Sequence, residues 1–341
     1  MHLETRTTDL AVANEGPVVG DPFDVRIAVV IPCFRVARHI VHVIRRIGAE
    51  CWRIYVVDDA CPEHSGRVVE TQCSDPRIRI IRHIENQGVG GAVMSGYAAA
   101  MTEGATIVVK IDGDGQMAPE LLPTFVAPIV SGRADYTKGN RFYDLRDLGR
   151  MPASRVFGNA ALSFMTKLSA GYWDIFDPTN GYTAIHVKVL RHLPLERISR
   201  RYFFETDMLF RLNTIRAVVV DIPMQAEYRD EVSGLRISRI LGEFLFKHAR
   251  NAFKRIFYNY FLRDFTVASL ELVMGIALLA FGISYGATHW IISARADVGT
   301  PVGTVVLSAF SALAGLQLLL AFVGFDVAST PRRAVHPVLF D

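Results

Sequence analysis

The residues best placed to do chemistry are acidic and come in two close sets. Asp58 and Asp59 end the run IYVVDD, and Asp112 and Asp114 lie in IVVKIDGDGQ, with Gln116 two residues further on. Two carboxylates one residue apart, on a chain loosened by Gly113 and Gly115, can face a single hard cation, and Gln116 adds a neutral oxygen. Oxygen-only donors select Mg²⁺ or Mn²⁺, ions that bridge to substrate phosphates. As an isolated string these residues also describe a solvated turn. What sets them apart is that each set follows an apolar, β-branched run.

Those runs belong to a longer alternation. Residues 27–32, 54–58, 77–82 and 106–112 read as strands, and 36–47 and 88–101 as helices. Short strands alternating with helical segments predict a mostly parallel sheet covered by helices. In such sheets ligands bind beyond the carboxyl ends of the strands, where both acidic sets fall. There is no repeat of fixed period and no low-complexity tract.

The 341 residues are half hydrophobic and 21% charged, too apolar for an ordinary soluble domain and too charged for a polytopic transporter. Thirty-seven Lys and Arg against 34 Asp and Glu give a net charge of +3, so bulk charge provides no basis for nucleic-acid binding. The four cysteines (Cys33, Cys51, Cys61, Cys73) have no CxxC spacing and read as reduced thiols, neither zinc site nor disulfide frame. Residues 1–24 contain no apolar core of a signal peptide, so the part that follows is expected to start in the cytoplasm.

Two apolar stretches, 265–286 and 302–323, are each long enough at 1.5 Å per residue to cross a bilayer core of about 30 Å. The loop between them is nearly neutral. Lys247, Arg250, Lys254, Arg255 and Arg263 flank one end and Arg332 and Arg333 the other, which predicts a hairpin with both ends cytoplasmic. Glu271 within the first stretch is expected to face the bundle or the interface. Just before the hairpin, Ile237, Ile240, Leu241, Phe244, Leu245, Phe253, Ile256, Phe257 and Tyr260 recur at helical spacing opposite Arg236, Arg239, Glu243, Lys247, Arg250 and Lys254. This pattern predicts a basic amphipathic helix at the headgroup level, with a helix packed on the domain as the alternative.

VVIPCF (29–34), VVDDACPE (56–63), NQGVGGAVMSGY (86–97), KIDGDGQM (110–117), KGNRF (138–142), DPTNGY (177–182) and FFETD (203–207) occur in this order. Together they resemble the family 2 glycosyltransferases of GT-A fold. With the C-terminal hairpin, the chain is most similar to the polyprenyl-phosphate glycosyltransferases of the dolichyl-phosphate mannose synthase type. The likeness spans residues 25–330. It implies an α/β fold: a Rossmann-like, mostly parallel GT-A sheet, an amphipathic interface helix and two transmembrane helices. The expected division is a tail (1–24), a catalytic domain (25–234), a juxtamembrane helix (235–263), a transmembrane hairpin (264–326) and a cytoplasmic tail (327–341).

The resemblance also implies roles. Pro32, Asp58, Asp59, Asn86, Gly90 and Lys138 fall in the nucleotide pocket, and Arg229 in EYRDEVSG reaches the donor diphosphate. Asp112, Asp114 and Gln116 match the ligands of Mg²⁺ or Mn²⁺. Arg141 and Arg155 match positions that grip a lipid phosphate, and Glu205 and Asp207 an acidic motif near the acceptor. Asp177 and Asn180 are compatible with a turn or with substrate contact. The implied reaction is inverting transfer of one sugar from a nucleotide diphosphate sugar to an undecaprenyl- or dolichyl-type polyprenyl phosphate at the cytoplasmic face of a membrane. Extension of a lipid-linked glycan and an inactive membrane scaffold are the alternatives, and self-association is left open. Phe34-Arg35 replaces the family's usual Asn-Glu pair, and Ala60-Cys61-Pro62 its Gly-Ser, which weakens any transfer of base or sugar specificity.

Overall fold

The computed structural model describes residues 25–143, 153–225 and 237–340. Its strands are β1 (Ile27–Cys33), β2 (Cys51–Asp58), β3 (Ile78–Arg82), β4 (Ile107–Lys110), β5 (Tyr136–Asn140), β6 (Thr183–His186) and β7 (Val219–Pro223). Its helices are α1 (Ile40–Arg45), α2 (Ser65–Gln72), α3 (Val89–Thr102), α4 (Leu122–Val130), α5 (Ala153–Ala170), α6 (Val187–Arg191), α7 (Phe204–Thr214), α8 (Ile237–Phe257), α9 (Val267–Arg295) and α10 (Val302–Ala328). The strands form one sheet in the order β3-β2-β1-β4-β6-β5-β7, in which β6 alone runs antiparallel to its neighbours. The expected parallel, helix-covered sheet is therefore present. The helix expected over 36–47 is confined to Ile40–Arg45, because His39 and Ile40 donate to the Val36 carbonyl in a preceding turn.

Unbroken β-branched runs form the central strands because both faces are covered. Ala28 and Val30 of β1 face a cluster with Ala92, Val93 and Tyr97 of α3 and Phe204 and Met208 of α7. Val29 and Ile31 face the opposite cluster with Ile40, Val43 and Ile44 of α1 and Leu122 and Phe125 of α4. This topology brings the carboxyl ends of β1, β2, β3, β4, β5 and β7 to one edge. Because β6 is reversed, the residues leading into it, 177–182, arrive at that same edge.

Helices α9 and α10 are long and apolar enough to cross a membrane. At 29 and 27 residues they measure about 44 and 40 Å, longer than the 22-residue stretches read from hydropathy. They pack tightly on each other: a Cβ at Gly282 would strike the backbone of Ala312, and one at Gly315 the backbone of Leu279. Most of their other side chains point outward. Glu271 is half-buried near the start of α9.

Helix α8 has the predicted period but a different inward face. His248, Asn251 and Arg255, followed by Asn259 in the π-turn Tyr258–Arg263, form a buried polar stripe, while Phe246, Phe253, Phe257, Leu262 and Phe265 are exposed. Ser169 of α5 bonds His248 (2.8 Å), and Asn251 donates to Asp207 of α7 (3.1 Å). The helix is packed on the domain, the alternative of the two sequence readings, and its outward side is aromatic.

The hairpin is joined to the domain at its base. Asp326, in the last turn of α10, is 5% exposed and accepts from four donors. These are Arg255 Nη1 (2.6 Å) and Nη2 (2.9 Å), Tyr260 Oη (2.6 Å) and Trp173 Nε1 (2.9 Å). At the other end, Ser269 Oγ of α9 donates to the Tyr260 carbonyl (2.5 Å). Beyond α10 the chain returns to the sheet, where the buried Asp135 carboxylate accepts from the backbone N–H groups of Val218, Val335 and His336 and bonds His336 Nδ1 (2.8 Å). Both ends of the hairpin therefore lie on the side of the sheet-bearing domain.

Removing one member of a buried ion pair leaves an uncompensated charge and costs about 3–5 kcal/mol. Asp326→Ala is therefore expected to lower the thermal midpoint of the detergent-purified protein strongly, whereas Lys247→Ala, which removes a solvent-screened i,i+4 pair with Glu243 and a contact over the Phe203 ring, lowers it by only a few degrees. A loss at Asp326→Ala no larger than that at Lys247→Ala would contradict the ion-pair reading.

Candidate active site

The acidic strand ends do different work. Asp58 Oδ1 accepts from Cys61 N (2.8 Å) and Oδ2 from Gly66 N (2.7 Å), so this carboxylate shapes the loop entering α2. It lines a groove of about 560 Å³ with Ala60, Cys61, Arg67, Arg82 and His83. Asp59 is 2% exposed and turned toward the next segment. It accepts from Gln87 N and Gly88 N (2.8 Å each) and pairs with His83 Nδ1 (2.7 Å), while its carbonyl accepts from Asn86 Nδ2 (3.2 Å). The glycines of this segment admit the chain's own backbone: Gly90 N donates to the Arg200 carbonyl (2.8 Å), and a Cβ at Gly90 would collide with the Ser199 carbonyl. Asp59 and Asn86 thus hold one another, and Pro32 at the end of β1 lies beside β2 in register with Val57.

At the end of β4 burial alternates. Asp112, Asp114 and Gln116 are partly exposed, whereas Ile111, Gly113, Gly115 and Met117 are buried, so the three oxygen-bearing side chains share one side of the segment. Asp114 Oδ1 accepts from Gln116 N (2.9 Å), which closes the turn, and Gly115 supplies the positive φ of +78° it requires. Below them sits Lys110, 1% exposed, with Nζ 2.9 Å from Asp112 Oδ1 and 3.4 Å from Glu205 Oε1. Burial works against its ammonium, but Asp112 and Glu205 outweigh it and hold its pKa above the ordinary lysine value. Burial pushes the Glu205 carboxyl up despite Lys110. Lys110 lay inside a quoted motif without a role assigned; its signal was a cation ending an otherwise apolar strand.

Glu205 and Asp207 diverge because residues two apart on a helix point away from each other. Glu205 reaches Lys110 at the sheet edge. Asp207 instead accepts from Ser199 N (2.9 Å), Arg211 Nε (3.3 Å) and Asn251 Nδ2 (3.1 Å), on the side of α7 that meets α8. Of the two residues of the acidic motif, Glu205 alone reaches the sheet edge.

A second buried network occupies the end of β5. Arg141 presents Nε and Nη2 to the fully buried Asp177 (2.7 and 3.0 Å), a bidentate fork, and its backbone N–H donates to the same carboxylate (3.2 Å). Despite burial, these bonds hold Asp177 below the ordinary carboxylate range. Asn180 donates to Asp177 (3.3 Å), and its Oδ1 accepts from Tyr182 N (2.9 Å), so DPTNGY both makes the turn and aims Arg141. Lys138 is fully buried, donates to the Asn180 carbonyl (2.8 Å) and is pulled down to about 8 by burial, against Asp177, Asp221 and Glu205. Asp221, which no motif marks, accepts from Asn140 Nδ2 (3.0 Å) and Phe176 N (2.9 Å) through Oδ2, while Oδ1 is buried with no partner among the described residues. Arg155 falls in the first turn of α5, but its side chain, like Arg229, lies outside the described residues.

With this geometry in hand, residues 28–193 match the model of the glycosyl transferase family 2. The chain carries a family 2 glycosyltransferase domain. An undecaprenyl-phosphate mannosyltransferase of Micrococcus luteus is 29% identical over 192 residues, 56% of this glycosyltransferase and 78% of the relative. A polyprenol monophosphomannose synthase of Mycolicibacterium smegmatis is 27% identical over 235 residues, covering 67% and 86%. The fold is similar to that of glucosyl-3-phosphoglycerate synthase of Mycobacterium tuberculosis, solved with Mn²⁺, UDP-glucose and phosphoglyceric acid. The TM-score is 0.52 at 18% identity, over 68% of this chain and 80% of that one. The GT-A architecture expected from the motifs is thereby borne out.

Among the described residues, no three His, Cys, Asp or Glu side chains gather into a metal-binding group. A closed protein cage is therefore not what this edge offers. Two partly exposed carboxylates and one amide oxygen fit Mg²⁺ or Mn²⁺, which take one or two protein carboxylates and complete their shell with phosphate oxygens and water.

Burial raises Asp221 from 3.8 to about 6, so the folded glycosyltransferase binds an extra proton between those pH values. The contribution of this group to stability is present below pH 3.8 and lost as pH rises through 6. Relative to wild type, Asp221→Asn should therefore gain stability as pH is raised from 4 to 7, by at most about 3 kcal/mol at 1.36 kcal/mol per pKa unit. Denaturant melts across that range check it; parallel pH profiles for the two proteins would rule out the raised carboxyl.

Proposed function

We propose that this glycosyltransferase transfers one sugar from a nucleotide diphosphate sugar to a polyprenyl phosphate, with inversion, at the cytoplasmic face of a membrane. The observation that carries this reading is the joint at Asp326. It bonds a bilayer-length helix directly to the loop that leads to Asp177 and Arg141, so the ligand edge of the sheet is tied to the base of the hairpin. A lipid phosphate presents its reactive group at that height. Relatives named for undecaprenyl-phosphate and polyprenol-phosphate acceptors support the same class of acceptor.

In this reading the groove beside Asp58 and the segment braced by Asp59 and Asn86 receive the nucleoside. Asp112, Asp114 and Gln116 would hold Mg²⁺ or Mn²⁺, which when bound offsets the charge developing on the leaving diphosphate. Lys110 fixes Asp112 and adds positive charge beneath the carboxylates. The acceptor phosphate attacks the anomeric carbon opposite the leaving group, and a single displacement inverts its configuration. A phosphate monoester has lost most of its second proton at neutral pH, its pKa being about 6, so the reaction needs positioning more than a strong base. Arg141, set by Asp177, supplies that positioning with Arg155, and Glu205 acts as the counter-ion of Lys110. The outward aromatics of α8 seat the protein in the headgroup layer, with exposed Arg250 and Lys254 available to anionic lipids. Asp112 and Asp114 both remain carboxylates in the segment after β4, which speaks against an inactive scaffold.

The test incubates proteoliposomes with radiolabelled nucleotide sugars and polyprenyl phosphate and extracts the lipid. A labelled lipid monophosphosugar is expected; label found only on preformed glycans would favour the glycan-extending alternative. Asp114→Asn should abolish turnover while leaving the melt unchanged, since it removes a partly exposed oxygen donor and opens no core cavity. Arg141→Ala should reduce efficiency toward the lipid phosphate about tenfold to a hundredfold, from a charge-assisted hydrogen bond of roughly 1.5–3 kcal/mol, with nucleotide affinity by calorimetry unchanged. Lost nucleotide affinity with normal lipid dependence would move Arg141 to the donor side.

A further inference from the structure

The loop between α5 and β6 touches two distant parts of the molecule within five residues. At its start, Trp173 Nε1 donates to Asp326 Oδ2 at the base of α10 (2.9 Å). Four residues on, Asp177 holds the Arg141 fork. Four residues reach at most about 14 Å even when fully extended, so the membrane joint and the arginine support are close neighbours. The stretch between them is pinned along its length. Lys167 donates to the Trp173 carbonyl (2.6 Å), Ser163 to the Phe176 carbonyl (2.9 Å) and Phe176 N to Asp221 (2.9 Å), while the Phe176 ring meets Phe142, next to Arg141, edge-on at 5.7 Å. Arg255, the main partner of Asp326, also donates to the Leu168 carbonyl at the end of α5 (2.9 Å). The hairpin thus holds the loop directly at its start through Asp326, and Arg255 of α8, bound to the same carboxylate, holds the helix that precedes it.

From this geometry we infer that Trp173 and Asp326 are positioning residues for the acceptor side of the site: the last turn of the second apolar helix sets the 171–177 loop, and through Asp177 it sets the direction of Arg141. A carboxylate at the carboxyl end of a helix is unfavourable against the helix dipole and in a buried place, yet Asp326 is there with four donors from three other segments. Packing alone would be served by an apolar residue. A carboxylate instead demands one indole N–H in one orientation, which is what fixing a loop requires. The link itself stands on these contacts; its description as acceptor positioning rests on the polyprenyl-phosphate reading.

Trp173→Phe tests it most cleanly, because it deletes the indole N–H while keeping an aromatic ring beside Phe164. Amide hydrogen exchange on the full chain in nanodiscs should show residues 174–182 and 138–143 exchanging at least tenfold faster in the variant, with β1 and β2 unchanged. Kinetically, the variant should raise the KM for polyprenyl phosphate severalfold and leave nucleotide affinity as in wild type. In an Arg141→Ala background it should add nothing further to that KM, because the route through Arg141 is already cut. Asp326→Asn should speed exchange in the same segments, and should it fold poorly, Trp173→Phe carries the test alone. Unchanged exchange at 174–182 overturns the link. Faster exchange with KM effects that multiply between Trp173→Phe and Arg141→Ala overturns the route through Arg141. If the wild type ignores polyprenyl phosphate, the functional reading fails on its own, and the exchange comparison still decides the link.

Discussion

Asp326 is a carboxylate placed where carboxylates are costly, buried in the last turn of a helix long enough to cross a bilayer. Its charge is acceptable only because Arg255, Tyr260 and Trp173 converge on it from helix α8, the π-turn and the loop between α5 and β6. That requirement fixes three relations together: where the hairpin ends, which face of α8 turns inward, and where the 171–177 loop starts. Once α8 is held by its polar stripe, its aromatic side has no protein left to cover it, and Phe246, Phe253 and Phe257 face outward.

A second constraint operates at the sheet edge. Six carboxyl-terminal strand ends and the entry to the reversed strand β6 bring Asp112, Glu205, Asp177 and Asp221 into one region, and the fold offsets this negative charge with buried Lys110, Lys138 and the half-buried Arg141. Each carboxylate that would otherwise repel its neighbour is matched to a cation or a backbone N–H. What projects from this balanced base is the alternating Asp112, Asp114, Gln116 face, the part suited to a divalent cation and a diphosphate.

Much of this was legible in the sequence, and the parts that were not share a cause. The β-branched runs and the acids after them gave the sheet and its ligand edge, because strand alternation is local and Gly113 and Gly115 mark the turn. Asp58 and Asp59 were located correctly at a strand end, but that their oxygens are taken by the Cys61, Gly66, Gln87 and Gly88 amides depends on loop paths no spacing encodes. Asp207 shares the acidic motif of Glu205 in sequence, whereas helical phase sends it to Asn251. In α8 the period was right, but Arg255 counted only among the charges flanking the hairpin, because nothing local reveals that Asp326, 71 residues later, awaits it. Lys110 opens a motif but its link to Glu205, 95 residues away, is not encoded there, and Trp173 carried no motif signal, since Asp326 lies 153 residues away.

The central claim is that the edge of the sheet joined to the membrane hairpin acts on a lipid phosphate. Acceptor choice by the purified, bilayer-reconstituted wild type tests it most directly, with polyprenyl phosphate, the free polyprenol of the same length and a soluble sugar offered in parallel at fixed donor. The account predicts transfer to polyprenyl phosphate and none above background to the other two, because only the phosphate supplies both the nucleophile and the charge that Arg141 is set to meet. Equal use of the free polyprenol or of the soluble sugar would contradict it.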